Sequence, residues 1–125
     1  MSGIRSPLMI NGVPVVAAPA EIDLTTAEQL RTVLLYSAGH GHTTIVVDMA
    51  RTQFCDSAAL SVLVRAHQRA LTEGGELRVV IPAGSPVFQV FTVIGLHKLI
   101  PWFSSLDQAI AVLPPRPRAG RAPVP

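Results

Sequence analysis

Asp23, Asp56 and Ser57 are the side chains of this sequence best placed by type and spacing to do chemistry. Asp56 lies in Phe54-Cys55-Asp56-Ser57-Ala58-Ala59-Leu60. Before it runs Ile45-Val46-Val47-Asp48-Met49, which reads as a buried strand. After it come seventeen residues that read as one amphipathic helix. The first turn of a helix has backbone N–H groups without intrahelical partners. Small polar residues at a strand-to-helix turn therefore mark a place to hold an anion or to receive a phosphoryl group. Asp23 stands in the same relation to an earlier strand and helix. If the two strands are adjacent and parallel, both carboxylates meet at one end of a sheet. Each also reads as a plain helix N-cap.

Other chemistry finds less support. A nucleophilic Ser57 needs a base held against it. His67 is ten residues further along the same helix, too far at about 1.5 Å of rise per residue, and it falls on the apolar stripe, as a core or boundary histidine does. No Gly-x-Ser-x-Gly surrounds Ser57. His40 and His42 flank Gly41 in a loop with no further ligands at metal-binding spacing, so a solvated loop and no metal are expected. His97 sits in a connection and is expected to be exposed. No phosphate-loop pattern is present, and Gly74-Gly75 reads as a helix terminator. An apolar strand end and the neighbouring Asp56 both raise the pKa of the Cys55 thiol, which suits a buried small hydrophobe better than a redox switch. The expectation is a protein that is not an enzyme and holds no cofactor.

The elements that must position these residues follow from period and punctuation. Leu8-Met9-Ile10 and Val13 to Ala18 flank Asn11-Gly12, a hairpin signal. Pro14 suggests that the second run begins at a sheet edge or just after the turn. Thr25 to Glu28 has capping-box spacing and opens a first helix that stops near Gly39. Thr44 to Met49 is the central strand. The second helix runs from about Ser57 to Glu73, with Leu60, Leu63, Val64, Ala70 and Leu71 as its apolar stripe. Leu77 to Ile81 is a further strand. Ser85-Pro86 opens a third helix, Ile100 to Phe103 reads as a short edge strand, and Ser104-Ser105 opens a last helix to about Leu113. Cys55, Leu60, Leu63, Val64 and Val46 are expected to be buried. Helices alternating with strands predict an α/β fold, with a mixed sheet carrying its helices largely on one face.

Composition sets the class. The 125 residues are 49% apolar and 14% charged, ample for one packed domain. The net charge of +2 comes from Arg116, Arg118 and Arg121 near the end. Without them seven basic residues face eight acidic ones, a net of −1, so no basic face for nucleic acid is expected. No apolar run is long enough to span a membrane. Residues 1–7 show no apolar leader and are expected to be flexible, and with a lone cysteine a cytoplasmic location is expected. Residues 8–113 form the domain. The Pro- and Arg-rich 114–125 lack apolar bulk and are expected to be disordered.

Glu21-Ile22-Asp23, a helix, Ile45-Val46-Val47-Asp48, Phe54-Cys55-Asp56-Ser57 and a helix closing on Gly74-Gly75 together resemble the STAS domain, above all that of bacterial anti-sigma factor antagonists. The resemblance covers about Leu8 to Leu113 and implies a STAS-like sheet of about five strands with about four helices. It implies an interaction switch. The unphosphorylated antagonist binds an anti-sigma factor, a kinase with a GHKL-type ATPase fold, and so frees a sigma factor. Asp23, Asp56, Ser57, Ala58 and Ala59 match the partner-binding and regulatory positions, and a free chain is expected to be a monomer.

The family pattern at the start of the second helix is Asp-Ser-[Ser/Thr]-Gly-Leu, with the phosphoryl acceptor third. This chain has Ala58 there, and Ala59 where Gly is usual. A phosphoryl group needs an oxygen, and Ala58 has none. Three states stay open: the switch is absent, Ser57 substitutes, or position 58 carries an engineered change. The alternative within the fold is a STAS accessory subunit of a membrane transporter for lipids or anions.

Overall fold

A computed structural model describes residues 4–111. The predicted tail, 114–125, lies outside the described residues. Asn11 and Gly12 have φ of 52° and 79°, the two left-handed conformations that a tight I′-type hairpin requires. They fold β1 (Leu8–Ile10) back on β2 (Val13–Ala17), with Ile10 opposite Val13. The edge is thus β1, and β2 lies inside the sheet. Pro14 is tolerated because pairing of β2 with β4 (Thr44–Asp48) begins only at Val15, opposite Val46.

Among the described residues the main sheet has the order β1-β2-β4-β6-β7, with β6 at Glu76–Val80 and β7 at Trp102–Phe103. Only the β1–β2 pair is antiparallel. Two further strands, β3 (Glu21–Ile22) and β5 (Phe54–Cys55), pair in parallel as a separate ladder. At two residues each they are too short for a period-two pattern, and the sequence reading did not resolve them.

The central strands are buried on both faces, which is why they read as unbroken apolar runs. Val16, Ile45, Val47, Leu77 and Val79 belong to the core beneath α1 (Leu24–Gly39), α2 (Ser57–Thr72) and α3 (Pro86–Val93). Val13, Val15, Val46 and Val80 form the opposite face, covered by α4 (Leu106–Ala111) through Ala109. The helices are therefore largely on one face, three against one. Arg78 also points toward α4. It is fully buried, its Nε bonds Glu76 at 2.7 Å, and its Nη1 donates to the Ala109 carbonyl at 2.7 Å. Pairing the charge and satisfying its donors is what makes burial tolerable.

The buried stripe of α2 is Ala59, Val62, Leu63, His67 and Ala70, turned from the predicted one. Leu63 and Val46 are buried as expected. Leu60, Val64 and Cys55 are half-buried, and Leu71 is exposed. His67, expected as a core or boundary residue, is a full member of the core face. Its Nδ1 accepts from the Leu77 N–H at 3.2 Å, tying α2 to β6. Burial lowers its pKa below the ordinary 6.5, against smaller upward effects of Glu76 and the Leu99 backbone.

Candidate functional site

The two short strands place the site. Their loops are laced before the helices begin. The Ala18 N–H donates to the Asp48 carbonyl at 2.9 Å, and the fully buried Thr52 donates its hydroxyl to Pro19 at 2.9 Å. The N–H groups of Gln53 and Phe54 both reach the Ala20 carbonyl, at 2.7 and 3.1 Å. In the β3–β5 ladder Ile22 pairs with Cys55, and the Asp56 N–H donates to the Ile22 carbonyl at 3.1 Å. Asp23 and Asp56 each follow that matched pair. Their backbones therefore run side by side where α1 and α2 start. Adjacent parallel strands do bring them together, but on this small ladder rather than on the main sheet.

Both aspartates are N-caps. Asp23 makes a reciprocal capping box with Thr26, not the predicted one from Thr25 to Glu28: the Thr26 N–H donates to Asp23 Oδ1 at 3.0 Å, and the Asp23 N–H donates to Thr26 Oγ1 at 2.8 Å. That backbone N–H and the Thr26 hydroxyl hold the exposed Asp23 carboxyl below its ordinary 3.8. Asp56 uses one oxygen, Oδ1, to accept from the N–H groups of Ala58 at 3.0 Å and Ala59 at 3.2 Å. The cap thus occupies the very donors that a free helix N-terminus would offer an anion. The anion-holding reading of this turn is corrected accordingly: the Asp56 carboxylate is already the anion at this helix start.

The next three residues differ in exposure. Ser57 faces solvent, Ala58 is half-buried against the core, and Ala59 is fully buried. A side chain larger than methyl at 59 has no room without displacing the core, whereas one at 57 meets water. Cys55 lies just below. Burial and then the Asp56 carboxylate push its thiol up to about 12, which keeps it protonated and unreactive.

Two residues of this corner escaped the sequence reading. Leu24 is 65% exposed and Phe54 is 53% exposed, one beside each aspartate. Neither Asp23 nor Asp56 has an ion-pair partner among the described residues. Glu21, opposite Phe54 in the ladder, is exposed as well. The corner is an acidic patch with two apolar anchors. Its only sequence signal was an aromatic residue in a two-residue strand directly before a capping Asp.

No group of three or more metal-ligating side chains clusters among the described residues. No helix there is long and apolar enough to cross a membrane.

Comparison with known proteins places this arrangement. The family model of the STAS domain matches residues 8–109. The anti-sigma-F factor antagonist RsfB of Mycobacterium tuberculosis is 29% identical over 101 residues, 80% of each chain. The crystal structure of an anti-sigma factor antagonist from Mycobacterium paratuberculosis shares the fold at a TM-score of 0.75 and 24% identity, covering 86% of this chain and 92% of that one. The Bacillus antagonist SpoIIAA, solved unphosphorylated and phosphorylated, shares it at 0.62 and 20% identity, covering 86% of this chain and 94% of the unphosphorylated one. Because the family match takes in every strand from β1 to β7, together with both capped helices, the chain belongs to the STAS domain family.

Proposed function

We propose that this protein is an anti-sigma factor antagonist that binds an anti-sigma factor of GHKL-type kinase fold at the β3–β5 corner and so releases a sigma factor. One observation carries the reading: two aspartates, side by side at the starts of α1 and α2, are flanked by the exposed Leu24 and Phe54. Likeness to RsfB over four-fifths of both chains supports it. Aromatic residues are enriched in protein interfaces, whose rims are polar. The acidic patch calls for a basic surface on the partner. A cytoplasmic location goes with such a partner.

The reading includes a switch that is missing its usual acceptor. Ala58 holds the acceptor position and has no hydroxyl, so the cognate kinase leaves the chain unmodified and the antagonist persists. Ser57 does not substitute. It lies about 100° around the helix from Ala58 and faces solvent, while Ala58 lies against the core. A phosphoryl group at 58 would add about −1.5 to −2 charge beside two aspartates. It would find the N–H groups of Ala58 and Ala59 already bonded to Asp56. Its oxygens would need desolvating under a packed partner, at a cost of a few kcal/mol or more. Phosphate therefore acts at the interface, without refolding the domain.

A pull-down with the full chain tests the reading: the expected capture is an ATPase-fold anti-sigma factor, and capture of a transporter ATPase in its place contradicts it. Intact-mass measurement after incubation with that kinase and ATP tests the switch. The expected result is no added phosphoryl group on this chain and one added on Ala58→Ser. One phosphoryl group mapped to Ser57 on the unaltered chain would show that the switch is live.

A further inference from the structure

Away from the capped corner, α1, α2 and the sheet line a groove. The groove between them has a volume of about 540 Å³ and reaches the strand residues Ile45 and Leu77. Both lie at the starts of their strands, whereas Asp23 and Asp56 follow the ends of β2 and β4. The groove is thus separate from the proposed partner surface and independent of that reading.

Its floor is aliphatic: Leu34 of α1 and Val62 and Ala66 of α2 line it, and no aromatic side chain does. Its walls are cationic. Arg31 stands on α1, with Arg65 and Arg69 facing it from consecutive turns of α2. Arg31 is paired only at 3.5 Å with the exposed Glu28. Arg65 and Arg69 have no carboxylate partner among the described residues. Like charges four residues apart on a helix repel each other, so the pair gains when an anion lies between them. Glu76, the acidic residue in the lining, has its charge engaged by Arg78 at 2.7 Å.

We infer that this groove binds an amphiphilic anion, an aliphatic carboxylate whose head is held by Arg65 and Arg69 and whose tail lies over Leu34, Val62 and Ala66. The volume is in the usual range of small-molecule sites, about 300–1,000 Å³, which combine apolar lining with a few orienting polar groups. Guanidinium forks match a carboxylate in two parallel hydrogen bonds. The absence of aromatic lining removes the stacking surface that a planar base requires. An aliphatic tail needs only aliphatic contact.

Amide chemical-shift titration of the full chain with decanoate, below its micelle concentration, tests the inference. The controls are acetate, which has the head alone, and decanol, which has the tail alone. Decanoate should give saturable, one-to-one shifts centred on Leu34, Val62, Ala66 and Arg69. Acetate and decanol should each bind at least about tenfold more weakly. The double variant Arg65→Gln/Arg69→Gln should lose about tenfold in decanoate affinity with an unchanged melting temperature, since both side chains are on the surface. Arg65→Lys/Arg69→Lys should recover part of it, keeping charge without the planar fork. Absence of saturable shifts, equal binding by decanol, or unchanged affinity in the double Gln variant would overturn it. So would shifts centred on the exposed Val93 and Ile94 at the end of α3.

Discussion

The two ends of α2 are built to different standards. At its start a single carboxylate oxygen of Asp56 holds two backbone N–H groups, and Ser57 is open to water. At its finish His67 is in the core, bonded to β6, and the chain leaves through Gly74 at φ 87° and Gly75. Gly75 lies so close to Thr43 that a Cβ there would overlap the Thr43 carbonyl and come within 2.7 Å of its Cβ. The finish anchors the helix to the sheet. The start is held by the Asp56 cap and leaves Ser57 open to water. A surface that must accept a partner belongs on the second kind of end, because changes there do not propagate into the core.

Substitutions along α2 should therefore grade from anchoring to open. Gly75→Ala should cost most, about 3 kcal/mol, since the added methyl would meet the Thr43 backbone, which has nowhere to move. Urea denaturation measures it, and a loss under about 1 kcal/mol would mean that the two loops separate easily. His67→Ala should cost about 1–3 kcal/mol by leaving the buried Leu77 N–H without an acceptor.

His67 also gives the anchoring end a pH dependence. Burial lowers its folded-state pKa below the ordinary 6.5. The unfolded chain therefore takes up the proton first as pH falls. Stability from this group is complete above about 6.5 and declines below it, until the folded His67 itself titrates. His67→Gln should flatten the stability curve just below pH 6.5, and an unaltered slope would assign the effect elsewhere.

At the open end the effects shrink. Asp56→Ala should cost about 1 kcal/mol through loss of the cap. Asp23→Ala should cost less, since its carboxylate is exposed and serves one turn of α1. Thermal melts of the two variants rank them, and a larger loss for Asp23→Ala would reverse the comparison. Ser57→Trp should leave the melting temperature unchanged.

The same grading explains what was legible in the sequence. Long runs spoke clearly: the Asn11-Gly12 hairpin, the strands around Val46 and Val79, and α1 to α4 with their order. The Asp23 and Asp56 positions were legible because capping leaves a side-chain signature just before a helix. What escaped depends on distant partners. The β3–β5 ladder is two residues long on each side, framed by the bonds from Phe54 to Ala20 and from Asp56 to Ile22. The rotation of α2 shows in Leu60, Val64 and Leu71, which read as stripe residues, whereas Ala59 and Val62 take core positions with His67. Arg78 was not singled out in the sequence, and its burial depends in part on the Ala109 carbonyl of α4, thirty-one positions away.

The most direct test of the central proposal is calorimetric titration of the full chain, and of Ser57→Trp, with the anti-sigma factor recovered by pull-down. The capped corner predicts one-to-one binding by the unaltered chain. It predicts at least about hundredfold weaker binding by Ser57→Trp, about 2.7 kcal/mol, with both proteins melting alike. Equal affinities for the two would contradict the proposal and place the partner on another face of the domain.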